Sequence, residues 1–149
     1  MLNIREAAAS DVAALHDLYM NHLTQYPPKE EQNIVKWSEL LDMLIENTDY
    51  HLLVGEADGN VISSVTLVII RNLTHGLRPY SIIENVVTHA GFRNKGYAYA
   101  LMERASEIAK AKNCYKIMLM TGSKKESTLR FYERCGFNMK DKTAFLKRL

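Results

Sequence analysis

Little in this sequence supplies covalent or metallic reinforcement. Its two cysteines, Cys114 and Cys135, are too few for a disulfide framework or a zinc quartet. The three prolines form no Pro-rich linker, although the adjacent pair Pro27-Pro28 should break the chain. No apolar run approaches the ~20 residues of a membrane span, and the opening MLNIREAAAS has no signal-peptide pattern. The five histidines, His16, His22, His51, His75 and His89, lack a metal-binding spacing such as H-E-x-x-H, so no metal is expected. A net charge of only +2 argues against a nucleic-acid binder. Together these absences point to a cytoplasmic protein with no membrane or nucleic-acid partner.

What is present suits one domain spanning 1–149. At 47% hydrophobic and 24% charged residues, the chain can close a core of its own. The charge is unevenly spread. Residues 1–74 hold 4 Lys and Arg against 11 Asp and Glu, and residues 75–149 hold 15 against 6. Two ligand surfaces of opposite preference, or two solvated faces, would each give this split.

The patterning predicts an α+β fold. Leu2 to Arg5 read as a strand, and Ser10-Asp11 as the cap of a helix carrying Val12, Leu15, Leu18 and Tyr19 on one side. A second helix over 29–47 presents Ile34, Trp37, Leu41 and Leu44. Strands follow over 51–56, 61–71 and 80–88, the first two joined by the turn Asp58-Gly59-Asn60. A glycine-bearing basic loop, 91–96, then enters a helix that ends at Asn113, and a buried strand covers 115–120. Strand, loop, helix and strand make a βαβ unit, so 80–88 and 115–120 should pair in parallel within a mainly antiparallel sheet. Ser123-Lys124-Lys125-Glu126 has capping-box form and starts a last short helix, stopped by Gly136. One or two closing strands are expected over 137–149, giving about four helices around the sheet.

Chemistry is expected where the loop Arg93-Asn94-Lys95-Gly96-Tyr97-Ala98 joins a strand end to a helix start. Free N–H groups, a positive dipole end, a close-approach glycine and two cations suit a pyrophosphate. By itself the loop reads equally well as a plain basic turn. It is neither a Walker A loop nor a G-x-G-x-x-G fingerprint.

Its context is more specific. Arg93-x-x-Gly96-x-Ala98 is similar to the R/Q-x-x-G-x-G/A signature of the GNAT superfamily of acyl-CoA-dependent N-acetyltransferases. Phe131-Tyr132 followed by Gly136-Phe137 resembles its F-Y-x-x-x-G-F segment, and the element order matches along the whole chain. Within the superfamily, Glu84-Asn85-Val86-Val87 and Asn113 to Ile117 look most like glucosamine-6-phosphate N-acetyltransferases. The resemblance implies acetyl-CoA as cosubstrate, with backbone groups at Val86, Val87 and Thr88 on the pantetheine arm. It places N–H groups from Arg93, Asn94, Lys95, Gly96, Tyr97 and Ala98 on the pyrophosphate. Lys125 stands where the family often has a coenzyme-contacting Asn, and Asn94 where Gly is common. Dimerisation is common in the family.

Acetyl transfer by direct attack needs a base for the amine, whose pKa is ~10.4 in a lysine-like acceptor, and a donor for the leaving thiolate. Glu84 is the lone acidic residue in its apolar run and is the expected base or amine-orienting group; the other reading is an exposed strand edge. It is expected to share a face with Ile82 and Val86, with burial raising its pKa. Tyr132 is the expected acid, against a plain role as an aromatic core residue. The Val87 N–H is the leading oxyanion donor. The cysteines read as small hydrophobes rather than acyl carriers. For the acceptor, the acidic stretch 29–50 favours a small cationic amine, whereas the nearest-looking group favours an amino-sugar phosphate. A non-catalytic acyl-CoA-binding or sensing module is the alternative outside enzymes.

Overall fold

The Val- and Ile-rich run after residue 60 forms the longest strand of a five-stranded sheet, and everything else is arranged around it. The computed structural model describes residues 1–23 and 33–149. In it, β1 (Asn3–Glu6), β2 (Tyr50–Ala57), β3 (Asn60–Ile70), β4 (Tyr80–Thr88) and β5 (Ile117–Leu119) lie side by side in chain order. The first three pairings are antiparallel and β4–β5 is parallel. Asp58 and Gly59 take φ of 52° and 76° between the paired Ala57 and Asn60. Two left-handed residues in succession make the tight hairpin that Asp-Gly favours.

Alternation along the strands divides the core. Leu53, Val65, Leu67 and Ile83 meet Leu101, Met102 and Ala105 of α3 (Tyr97–Ala111) on one face. Leu52 and Val54 point the other way, toward Leu15 of α1 (Val12–Asp17) and Leu41 of α2 (Ile34–Glu46). The last helix, α4 (Glu126–Arg134), packs Phe131 and Tyr132 onto the α3 side of the core.

Several expected boundaries are corrected. A 3-10 turn, Ala9–Asp11, precedes α1, and a π-helical turn, Leu18–Leu23, follows it. Asp11 stands at the N-cap of α1, but its side chain makes no cap bond to that helix. Its carboxylate accepts the Ala8 N–H at 2.8 Å and binds Arg5 at 2.6 and 2.9 Å, so its oxygens are already engaged. Helix α2 starts at Ile34, where the Asn33 side chain accepts the N–H groups of Val35 and Lys36. The break at Pro27-Pro28 and a helix start at residue 29 lie outside the described residues.

The capping box before α4 does not form either. The helix begins at Glu126 with Lys125 at the cap, two residues too late for Ser123 and Glu126 to close on each other. Ser123 Oγ instead accepts the Lys125 N–H at 3.3 Å, and Glu126 pairs with Arg130. After Phe137 no strand follows. Residues 138–149 join no edge of the sheet, and Phe145 and Leu146 are left exposed.

Candidate active site

A register slip in the sheet makes the site. Thr66 pairs with Glu84 and Ser64 with Val87, so one residue of β3 stands opposite two of β4, Asn85 and Val86. Asn85 absorbs the extra length at φ 52°, a conformation that Asn tolerates better than branched residues. The bulge changes which side chains share a face. Glu84 and Val87 now point with Ser64 and Thr66, whereas Val86 packs on the α3 core. The expected grouping of Glu84 with Val86 is therefore wrong, because strict alternation does not survive a bulge. Nor is Glu84 buried; it is exposed on the strand.

The same strand is open on its other edge. Parallel pairing ends at Ile83–Leu119, while β4 runs on to Thr88. Beyond Ile83 the two strands part, so the β4 backbone has no β5 partner there. A groove of about 950 Å³ occupies this opening. Val86, Val87 and Thr88 line one wall, and Phe131 and Tyr132 of α4 line the other.

At its end the groove meets the basic loop. Arg93, Asn94, Gly96, Tyr97 and Ala98 all border it. Asn94 and Gly96 take φ of 62° and 81°, and the α3 N-terminus has no side-chain cap. Unpaired N–H groups at this helix start therefore remain open to an anion. The Arg93 guanidinium donates to the carbonyls of Thr88 at 3.2 Å and His22 at 3.1 Å, tying the loop down.

Lys95 and Lys125 do not line the groove. The Lys95 ammonium lies 5.1 Å from the centre of the Phe92 ring, and Lys125 is exposed at the α4 cap. Sequence reasoning missed Phe92, Thr128, Arg130 and Arg134, which do border it. The i, i+4 spacing of Arg130 and Arg134 carries a signal of a basic helix face; the place of Phe92 does not show without the fold.

Tyr132 is set by the end of α4. The Phe137 N–H bonds to the Tyr132 carbonyl at 3.0 Å and the Gly136 N–H to that of Glu133 at 2.9 Å, with Gly136 at φ 88°. This is a Schellman close, and it explains the spacing of tyrosine, glycine and phenylalanine. Burial pushes the Tyr132 phenol above its ordinary range, with Cys135 and Glu84 adding to the shift. A phenol held neutral is a hydrogen-bond and proton donor at pH 7.

Comparison with known proteins agrees with this geometry. The acetyltransferase (GNAT) family model matches residues 12–137. The chain belongs to the GNAT family. It is 30% identical over 141 residues to glucosamine 6-phosphate N-acetyltransferase of Trypanosoma brucei brucei, covering 91% of this chain and 88% of that one. A solved Trypanosoma brucei acetyltransferase superposes with TM-score 0.81 at 29% identity, over 99% of this chain and 100% of that one. Glucosamine-6-phosphate N-acetyltransferase of Arabidopsis thaliana shares the fold, with TM-score 0.83 at 20% identity, over 100% and 98%.

As a GNAT enzyme the protein is an acetyl-CoA-dependent N-acetyltransferase, with acetyl-CoA as its cosubstrate. Burial raises the thiols of Cys114 and Cys135, the latter to about 11, which keeps them from being thiolate nucleophiles. No helix of the described residues is long and apolar enough to cross a membrane.

On the Glu84 side of the sheet, the π-helical turn Leu18–Leu23 packs over β4 and β3. It brings the Tyr19 hydroxyl to 3.5 Å from Ser64 Oγ. Helix α2 lies further along, against α1 and β2. Its acids Glu39, Asp42 and Glu46 therefore belong to an element packed on α1 and β2, and Asp49 is paired with Arg71 at 3.1 Å. Glu30 and Glu31 lie outside the described residues.

Proposed function

We propose that this enzyme acetylates the amino group of a phosphorylated amino sugar of the glucosamine 6-phosphate class. The observation that carries the reading is the 30% identity, over nine-tenths of the chain, to a relative of that name. The competing reading, a small cationic amine, rests on the acidic stretch 29–50, of which Glu39, Asp42 and Glu46 lie on α2, a helix that packs against α1 and β2. We read the protein as one domain over 1–149, working in the cytoplasm.

In the proposed reaction the pantetheine arm lies along Val86, Val87 and Thr88, and the pyrophosphate sits on N–H groups from Asn94 to Ala98. The acceptor enters on the Glu84 side. Glu84 takes the proton of the ammonium directly or through a water, leaving the nitrogen lone pair free to attack the thioester carbon. The carbonyl oxygen becomes an oxyanion; alternation along β4 turns the expected donor, the Val87 N–H, toward Ser64 of β3, so a backbone N–H on the open edge of β4 would hold it instead. On collapse the C–S bond breaks, the sulfur keeps the electron pair, and Tyr132 donates a proton or hydrogen bond to the thiolate. The amide and free coenzyme then leave. No covalent enzyme intermediate forms.

The test is a thiol-release assay with acetyl-CoA and four acceptors: glucosamine 6-phosphate, glucosamine, spermidine and an aminoglycoside. The phosphorylated sugar is expected to exceed plain glucosamine in kcat/KM by at least about tenfold, the worth of one charge-assisted contact of ~1.4 kcal/mol. Turnover of spermidine or the aminoglycoside with none of the phosphorylated sugar would move the assignment to a cationic acceptor.

A further inference from the structure

Outside the groove, Asp17, His22 and His89 bring possible ligand atoms within 4.8 Å of one another. Their hydrogen bonds speak against a metal ion. His22 Nδ1 accepts the Ala90 N–H at 3.1 Å, and His89 Nδ1 accepts the Gly91 N–H at 3.1 Å. A neutral imidazole whose lone pair sits at Nδ1 carries its proton on Nε2, so both remaining ring nitrogens present hydrogens. A metal-ligating Nε2 needs the reverse arrangement, with Nδ1 as the donor.

The same bonds describe a latch. His22, near the end of the π-helical turn, holds the basic loop at two points. Its ring accepts from Ala90, and its carbonyl accepts from Arg93 at 3.1 Å. Arg93 in turn bonds to Thr88 at the end of β4, so turn, strand and loop are joined through one guanidinium. The His22 and His89 rings lie 4.1 Å apart, and Phe92 backs His89 at 5.4 Å.

We propose that His22 is a positioning residue for the coenzyme loop that works only as a neutral imidazole, so acidification loosens the loop and weakens coenzyme binding. The inference rests on the reading of residues 94–98 as the pyrophosphate site. Protonation puts a hydrogen on Nδ1, where the Ala90 N–H already points, and donor then faces donor. Burial disfavours the cation, and so do His89 and Arg93; Asp17, 3.8 Å from Nε2, favours it. The balance holds His22 below its ordinary pKa. It is thus neutral at pH 7 and charges only in acid.

The experiment is calorimetric titration of CoA into the wild type, His22→Gln and His22→Ala at about pH 7.5 and about pH 5.5. A glutamine amide oxygen can accept the Ala90 N–H and does not titrate. CoA carries a phosphate with its own pKa near ~6, and the ratio of wild-type to Gln-variant Kd cancels that contribution. The ratio is expected near one at the higher pH and to rise about fivefold at the lower, the worth of one hydrogen bond. His22→Ala should bind about fivefold more weakly than wild type at the higher pH, with Gln restoring affinity. Nitrogen NMR of the wild type should show His22 Nδ1 without a proton. A flat ratio with normal CoA binding, or an Ala variant equal to wild type, overturns the role of His22. Absence of CoA binding by the wild type at either pH overturns the coenzyme-loop reading as well.

Discussion

The Tyr132 carbonyl accepts the Phe137 N–H at 3.0 Å, and the two rings cross at 6.4 Å between centres. The proposed acid is therefore held by the close of its own helix, from both the backbone and the ring. Tyr132→Phe keeps the ring and removes only the hydroxyl. It is expected to lower kcat by about 10²-fold, the usual contribution of a positioned acid, with acetyl-CoA affinity unchanged. Steady-state kinetics combined with CoA titration checks this; an unchanged kcat removes Tyr132 from the chemistry.

Glu84 is exposed on β4 and needs no partner for folding. Glu84→Gln should leave the melting temperature within the effect of about 0.5 kcal/mol typical of surface changes. Its kcat/KM at pH 7 should fall by about 10²-fold and recover as pH rises, because the acceptor amine then loses its proton without help. A variant with wild-type rate at neutral pH would show that Glu84 is not the base.

Gly55 lies against α3. A Cβ there would sit 2.8 Å from Leu101 Cδ1, and Leu101 is fully buried. Gly55→Ala should cost about 1–3 kcal/mol through overpacking, read as a lowered melting temperature. Adding Leu101→Val should return part of the loss. Additive effects of the two changes would refute the contact.

Asp11 gives a pH-dependent test. Hydrogen bonds from Arg5 hold its carboxyl below the ordinary range against the effect of burial, with the Ala8 N–H helping. A group with a depressed folded pKa stabilises above its unfolded value of ~3.9, and that contribution is lost as pH falls through the folded value. Asp11→Asn should be about 2 kcal/mol less stable than wild type near pH 7, with the gap closing in acid. Thermal melts of both proteins across that range check the sign; a gap independent of pH would rule out the ionised pair as its source.

Much of the site was readable from residue types in order. Arg93 to Ala98 carries its own physics, since a glycine and an asparagine at a helix start prescribe a turn that bares N–H groups. Tyr132, Gly136 and Phe137 likewise encode a helix close over six residues. The errors arose where an element depends on a distant partner. The closing strands over 137–149 failed because a strand exists only through pairing with a partner edge, which no local pattern reveals. Ser123-x-x-Glu126 failed because a capping box depends on where the helix starts.

The linear sequence determined the element order, the family and the basic loop that opens α3, because these rest on short-range periodicity and turn chemistry. Only the tertiary structure decided which residues share the reaction space. The bulge at Asn85 turns Glu84 and Val87 to one side and Val86 to the other, through pairing with a strand some twenty residues away. It also decided that His22 grips a loop nearly seventy residues further along the chain. Contacts of that range are set by how the layers pack, which no local spacing encodes.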